Sequence, residues 1–274
     1  MTPVFANSAT VRARESLILR GGRHKPVELR VRFGLLDHPR IGPVLIDTGY
    51  TRETVEGARS LALRAYARAL RPHLNEAGQP SAVLSRRGVS PEDVACIILT
   101  HFHADHISGL GQFPNARIIA RDKTFAAISR RGALANIRHG IFPELLPDDF
   151  ATRLTGFSTL PRSKVTLPGG QPAAVDVFRD GSVLTVDLPG PAEGNVGLFF
   201  PSLETPLLYA TDTQWMLDAL DHGRAPGLPA SVIADDVSAG LKSPRAVRAF
   251  RDAGGQVMLC HDPAQQPYDL ETAL

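Results

Sequence analysis

Cysteine is nearly absent from this chain of 274 residues: Cys96 and Cys260 are the two it has, and each lies inside an apolar run. Two thiols cannot build a disulfide framework, so small stapled secreted scaffolds are excluded and a reducing compartment is expected. Long apolar runs are missing as well. No stretch approaches the roughly 20 residues needed to cross a bilayer, and the opening MTPVFANSATVRARES lacks the apolar segment of a secretory leader. A cytoplasmic protein without a membrane partner is the expectation. An excess of either charge is missing too: 30 basic and 28 acidic residues leave a net charge of +2, spread along the chain, so nucleic-acid binding has no electrostatic support. Lysine is scarce, 4 against 26 arginines, a ratio attributed to codon usage rather than to anion recognition.

What is present is 43% hydrophobic residues, enough for a substantial core. Strand-like patterning runs through VELRVRFGLL and PVLID, joined by the turn-rich HPRIG, and ends in Asp47-Thr48-Gly49. Residues 53–71 carry small or apolar side chains at Val55, Ala58, Leu61, Ala62, Ala65, Ala69 and Leu70, which predicts a helix. Arg64, Arg68 and Arg71 fall on another face of it, making it a solvated cover or a lid. Ser90-Pro91-Glu92-Asp93 predicts a short capped helix feeding a strand over 95–100. A strand is expected over 116–120, then helical or irregular chain over 121–150 with Phe125, Phe142 and Phe150. Strands return at VTLP, AAVDVF, SVLTVDL, VGLFFP and LLYAT. A helix framed by Ser243-Pro244 and Gly254-Gly255, with Val247 and Phe250 on one face, precedes a last strand over 256–260. Alternating strands and helices in both halves, with polar groups at strand ends, indicate an α/β sandwich. The reading is one domain over 1–274, with a helical insert at about 50–90 and a second insert at about 121–163.

The strand over 95–100 empties into His101-Phe102-His103-Ala104-Asp105-His106, three imidazoles and a carboxylate within six residues. A lone histidine at a strand end is an ordinary loop residue, but this density points to a metal. Residues two apart project to one side of extended chain, so His101 and His103 can address one ion. A turn then leaves Asp105 and His106 as a pair for a second. Two later apolar runs end the same way, Leu207-Leu208-Tyr209-Ala210-Thr211 on Asp212 and Val257-Met258-Leu259-Cys260 on His261. Zinc suits imidazole nitrogen and carboxylate oxygen, and it lowers the pKa of a bound water to about 7. Two ions roughly 3.5 to 4 Å apart can share that hydroxide, with a carboxylate such as Asp212 as the natural bridge.

The string His101 to His106 resembles the HxHxDH signature of the metallo-β-lactamase superfamily, and the other landmarks follow in the family's order. Pro43-Val44-Leu45-Ile46-Asp47-Thr48-Gly49 looks like the strand and acidic turn before the signature, where the aspartate supports the site without binding metal. Leu208-Tyr209-Ala210-Thr211-Asp212 resembles the segment with the bridging aspartate, and Leu259-Cys260-His261-Asp262 the segment with the last histidine. GLLDHPRIGPVLIDTG and GVSPEDVACIILTHFHADHISGL are most similar to the N-acyl homoserine lactonase branch. The resemblance implies an αββα sandwich, a first site of His101, His103 and Asp212, and a second of Asp105, His106, Asp212 and His261. It also shows two departures. Where the family carries Pro-Gly-His, with the third histidine of the first site, this chain reads Leu188-Pro189-Gly190-Pro191, and proline has no side-chain donor atom. Glu193 is the candidate substitute ligand. Where lactonases commonly place a substrate-contacting tyrosine, this chain has Trp215.

The function so implied is hydrolysis of an ester-like bond in a small molecule, lactone first and thioester second. Zinc, as one or two ions, is the expected metal, with iron, manganese or cobalt as alternatives. Asp105 and Asp212 carry the catalytic roles. Tyr50, Phe102 and Trp215 are either walls of the substrate pocket or core residues. A homodimer is compatible with the chain. The rival from another class is a non-catalytic pseudoenzyme of the same fold, binding a small ligand or a partner protein after losing its site at Pro191.

Overall fold

The computed structural model describes residues 1–223, 227 and 239–270, which include every candidate site residue. The first strands are β1 (Val4–Arg14), β2 (Pro26–His38), β3 (Gly42–Ile46), β4 (His73–Leu74), β5 (Cys96–Ile98), β6 (Arg117–Ala120) and β7 (Leu154–Gly156). Among the described residues they make a seven-stranded sheet in the order β4-β1-β2-β3-β5-β6-β7. A second sheet, β11-β10-β9-β8, is built from β8 (Leu184–Asp187), β9 (Val196–Phe200), β10 (Leu207–Tyr209) and β11 (Gln256–Met258). Two sheets flanked by helices form the mixed α/β fold of the αββα class, as the strand and helix pattern led us to expect. The chain separates into two compact units. One comprises Met1–Arg12, Glu28–Thr155 and Gln265–Leu274, the other Ala13–Val27 and Gly156–Ala264.

In the first unit β2 and β3 form the expected antiparallel hairpin, pairing Leu35 with Leu45 and Gly34 with Ile46. The turn between them uses Gly42 at φ 95°, a conformation that suits a residue without Cβ. Parallel pairing follows, Ile46 beside Ile98 and Ile98 beside Ile119. Parallel strands point their C-terminal ends the same way, so the chain leaves β3 at Asp47 and β5 at Thr100-His101 on one edge. Phe33, Leu35, Leu45, Ile97, Leu99 and Phe113 are buried in this unit's core. The second unit repeats the device: β10 runs parallel to β11, with Tyr209 opposite Met258, and Asp212 and His261 each follow three residues later. Its core gathers Val186, Phe199, Leu208, Val247, Phe250 and Leu259, so the helix Ala239–Asp252 buries the face expected of it.

Four expectations need correction. The helix predicted over 53–71 forms only at Leu61–Leu70, because Gly57 at φ 85° breaks the chain direction and Ser60 supplies the N-cap, accepting from the Leu63 N–H. Its buried face is Leu63 and Ala67, while Leu61 is 81% exposed. VTLP and AAVDVF are not strands; single bridges join Arg162 to Val175, Thr166 to Pro172 and Asp176 to Leu184. Pro161, Pro168 and Pro172 remove ladder donors there, and the Gly169-Gly170 turn interrupts pairing. The last helix starts at Ala239, before Ser243-Pro244. Ser243 is not its cap, since its hydroxyl donates to the Pro189 carbonyl at 2.6 Å. Ser90-Pro91-Glu92-Asp93 does form a capped turn, 3-10 rather than α, with the Asp93 carboxylate accepting from the Ser90 N–H and hydroxyl. No helix among the described residues is long and apolar enough to cross a membrane.

Candidate metal centre

In the first unit the chemistry starts from Asp47, fully buried and in the left-handed region at φ 58°. Its carboxylate accepts from the Thr100 N–H and the Thr100 hydroxyl, both at 2.8 Å, and pairs with His106 Nδ1 at 2.8 Å. The Thr100 hydroxyl has one proton and spends it on Asp47. His101 Nδ1, 3.1 Å from that oxygen, must therefore be the donor to it. The same logic makes His106 Nδ1 a donor to Asp47. In the neutral form of each ring this puts the proton on Nδ1 and leaves Nε2 as the lone-pair nitrogen, the form that binds a metal. The turn after β3 is clamped to this segment: Thr48 N–H and hydroxyl both donate to the His106 carbonyl at 2.9 Å, and Gly109 N–H donates to the Thr48 hydroxyl at 3.0 Å. Gly49 is required beside it, since a Cβ there would meet Ser8 Oγ at 2.4 Å.

The histidines stand together. The ring of His101 lies 3.9 Å from that of His106 and 4.5 Å from that of His103, and His101 and His103 offer ligand atoms within 4.8 Å of each other. Asp105 is 8% exposed, with a carboxylate oxygen 3.7 Å from His106 Nε2. Tyr50 is 1% exposed, and its hydroxyl has no hydrogen-bond partner among the described residues. Burial, with the charge of Asp105, pushes that phenol far above its usual range and keeps it protonated. Phe102 is 2% exposed, 5.9 Å from the Phe150 ring in the hydrophobic core, the second of the two roles left open for it.

In the second unit Thr211 precedes Asp212 at φ 50°, an uncommon conformation for a β-branched residue. It is held there by its hydroxyl, which donates to the Asn195 side-chain oxygen at 3.0 Å, while Cys260 N–H donates to its carbonyl at 3.0 Å. Asn195 in turn donates to the Leu188 carbonyl at 2.9 Å, closing the loop that contains Pro191 and Glu193, both half-buried. Asp212 Oδ2 lies 3.2 Å from His261 Nε2, and Asp212, Cys260 and His261 offer ligand atoms all within 4.8 Å of one another. Burial disfavours a charged His261 ring, but the Asp212 carboxylate, with Cys260, outweighs it and holds the imidazole well above its usual range. Trp215, half-buried, meets His261 edge to face with ring centres 5.8 Å apart.

These donors suit a divalent metal. Buried carboxylates and imidazoles are costly without a compensating charge, and here Asp212, His261, His101 and His106 are all 7% exposed or less. Glu193 is not part of the Asp212, Cys260 and His261 group among the described residues. Sequence reasoning missed Cys260 as a neighbour of the ligands, taking it for a buried hydrophobe, and it missed the supports Thr100, Thr211 and Asn195. Cys260 was signalled by its place directly before His261. The others carried no local signal.

The chain belongs to the metallo-β-lactamase superfamily, whose model matches residues 42–243. Within it the similarity lies with the N-acyl homoserine lactonase branch. The chain is 26% identical over 256 residues to the N-acyl homoserine lactonase AttM of Azorhizobium caulinodans, covering 90% of this chain and 87% of that one. It is 27% identical over 250 residues to AttM of Agrobacterium fabrum, covering 88% and 85%. Among solved structures, a quorum-quenching N-acyl homoserine lactone lactonase matches with a TM-score of 0.68 at 19% identity, over 95% of this chain and 91% of the other. AidC, a dizinc quorum-quenching lactonase, matches with a TM-score of 0.67 at 17% identity, over 95% and 87%.

Proposed function

We propose that this chain is a metal-dependent hydrolase that opens lactone esters, with thioesters as second choice, and that its metal is zinc. Relatives that it resembles over more than four fifths of their length are named as N-acyl homoserine lactonases. The observation that carries the reading is the set of contacts that Asp47 and Thr100 make to Nδ1 of His106 and His101, which in the neutral rings puts the proton on Nδ1 and turns Nε2 to a metal. A structural histidine has no need of that preparation. The ligand assignment is His101, His103 and Asp212 for the first ion, and Asp105, His106, Asp212 and His261 for the second. Pro191 stands where the family's third histidine would be, with Glu193 two residues on as its substitute. Neither cysteine forms a disulfide among the described residues and both are buried, which suits the reducing cytoplasm. The reading treats 1–274 as one domain with inserts at about 50–90 and 121–163, acting on a small molecule and compatible with a homodimer.

Zinc, held by His101, His103, Asp105, His106, Asp212 and His261, would supply hydroxide at neutral pH and polarise the ester carbonyl. The remaining steps belong to the chain. Asp105, with its carboxylate partly open, takes the proton from the attacking water and passes it to the leaving alkoxide as the ester C–O bond breaks. Tyr50, kept protonated by burial, can donate only a hydrogen bond, which favours the oxygen that gains negative charge. The Trp215 indole covers one side of His261 and limits water there. Elemental mass spectrometry of protein purified without chelators should find about one or two equivalents of zinc per chain. A lactone panel should show turnover that Asp212→Ala abolishes. Absence of metal even after incubation with excess zinc would sink the hydrolase reading in favour of a ligand-binding pseudoenzyme.

A further inference from the structure

The first unit carries a second feature that the hydrolase reading does not use. The helix Leu61–Leu70 and the chain on either side of it line a groove of about 590 Å³. Arg64, Arg68 and Arg71 all line it, the first two one turn apart on the helix and Arg71 at its left-handed C-cap, and all three are exposed. Val55 and Leu61 form apolar walls, 42% and 81% exposed. Thr54 also lines the groove, is 1% exposed, and its hydroxyl has no hydrogen-bond partner among the described residues. A buried hydroxyl without a partner is costly, and a ligand oxygen would relieve it.

Nearby acids do not neutralise this arginine row. Glu56 and Glu76 are taken by Arg52 at 3.2 and 2.6 Å, Glu53 accepts from Gln112 Nε2 at 3.0 Å, and Glu144 accepts from the Ser60 N–H at 3.0 Å. Among the described residues no carboxylate forms an ion pair with Arg64, Arg68 or Arg71. Guanidinium forks match carboxylate and phosphate oxygens, and the exposed aliphatic walls match an alkyl chain.

We propose that this groove binds a small soluble amphiphilic anion, with a carboxylate or phosphate head on the arginine row and one alkyl chain along Val55 and Leu61. The groove's volume lies in the range of small-molecule sites, about 300–1,000 Å³. A bilayer surface fits less well, because it could not reach a hydroxyl as sunken as that of Thr54. The inference does not depend on the hydrolase reading.

Calorimetric titration of the metal-loaded full chain tests it, using decanoate, decyl phosphate and inorganic phosphate below micelle-forming concentrations. One decyl compound should bind with one-to-one stoichiometry, at least about tenfold tighter than inorganic phosphate, the added alkyl chain supplying the difference. The Arg64→Gln/Arg68→Gln variant should weaken that binding about tenfold or more and flatten its salt dependence, while Lys123→Gln changes nothing. Thr54→Val should weaken it several-fold without lowering the thermal midpoint. No saturable binding of either decyl compound at millimolar concentration overturns the proposal. So does binding that survives the double variant, which would place the anion elsewhere, including at the metal centre. Tighter capture by anionic phospholipid vesicles than by the monomeric amphiphiles would show a membrane-facing surface instead, and also overturns it.

Discussion

Asp47 governs the histidine cluster without being assigned as a ligand, through one buried contact to His106 Nδ1 and two to Thr100. Replacing it with asparagine keeps the shape but removes the charge that holds both rings in their metal-binding form. Asp47→Asn should therefore weaken zinc binding about 10- to 100-fold, measured by competition with a chromogenic chelator. Unchanged affinity would show that the proton order has no part in metal binding. Glu15 offers a pH test in the second unit. Burial raises its carboxyl, but the Lys25 ammonium at 3.2 Å and the Arg23 N–H outweigh that and hold it below its ordinary value. A depressed carboxyl stabilises the fold above the unfolded-state value, and that stability is lost as pH falls through the folded one. Glu15→Gln should lower stability at neutral pH and reduce its loss on acidification below about pH 4, the carboxylate range. Parallel pH profiles of the two proteins would contradict this. Of these residues Asp47 was legible beforehand through its resemblance to the acidic turn that precedes the family signature; Thr100 was not, since a threonine at a strand end has many uses.

At the scale of elements, capping decides where the helix Leu61–Leu70 begins. Ser60 accepts from the Leu63 N–H, its own N–H donates to Glu144, and its hydroxyl donates to Glu144 as well. Ser60→Ala should cost about 1 kcal/mol, read as a lowered denaturant midpoint with an unchanged slope. A neutral result would mean that packing of Leu63 and Ala67 alone specifies the start. The serine and the preceding Gly57 were visible in the sequence, but small-residue periodicity across 53–71 outweighed them. Strand ends were more readable. An apolar run that stops on a polar site residue needs only a parallel neighbour to deliver that residue to a common edge, as β3 with β5 and β10 with β11 show. The false strands at VTLP and AAVDVF had the right composition, but their prolines and the Gly169-Gly170 turn leave no continuous ladder.

At the scale of the whole molecule, segments far apart in sequence are joined by polar contacts that composition conceals. Arg32, fully buried in β2, donates from Nε and one terminal nitrogen to the two oxygens of Asp269, at 2.7 and 2.8 Å. Asp269 also accepts from the Gln266 N–H, and the Leu270 N–H donates to the Phe5 carbonyl, so Asp269 and Leu270 are held on β2 and β1. Breaking a buried pair leaves an uncompensated charge, so Asp269→Asn should cost about 3–5 kcal/mol in unfolding free energy. A loss below about 1 kcal/mol would mean that water reaches Arg32. The sequence by itself determined the strand and helix class, the family signature and the run of candidate metal ligands. These rest on periodicity and on residues adjacent in the chain, which local sterics translate directly into structure. Tertiary structure alone decided the proton order at His101 and His106, the strained turn before Asp212 and the Arg32 pair. Each depends on groups brought into contact across long stretches of chain, 59 residues for Asp47 and His106, and nothing local encodes a contact made only when both partners lose water.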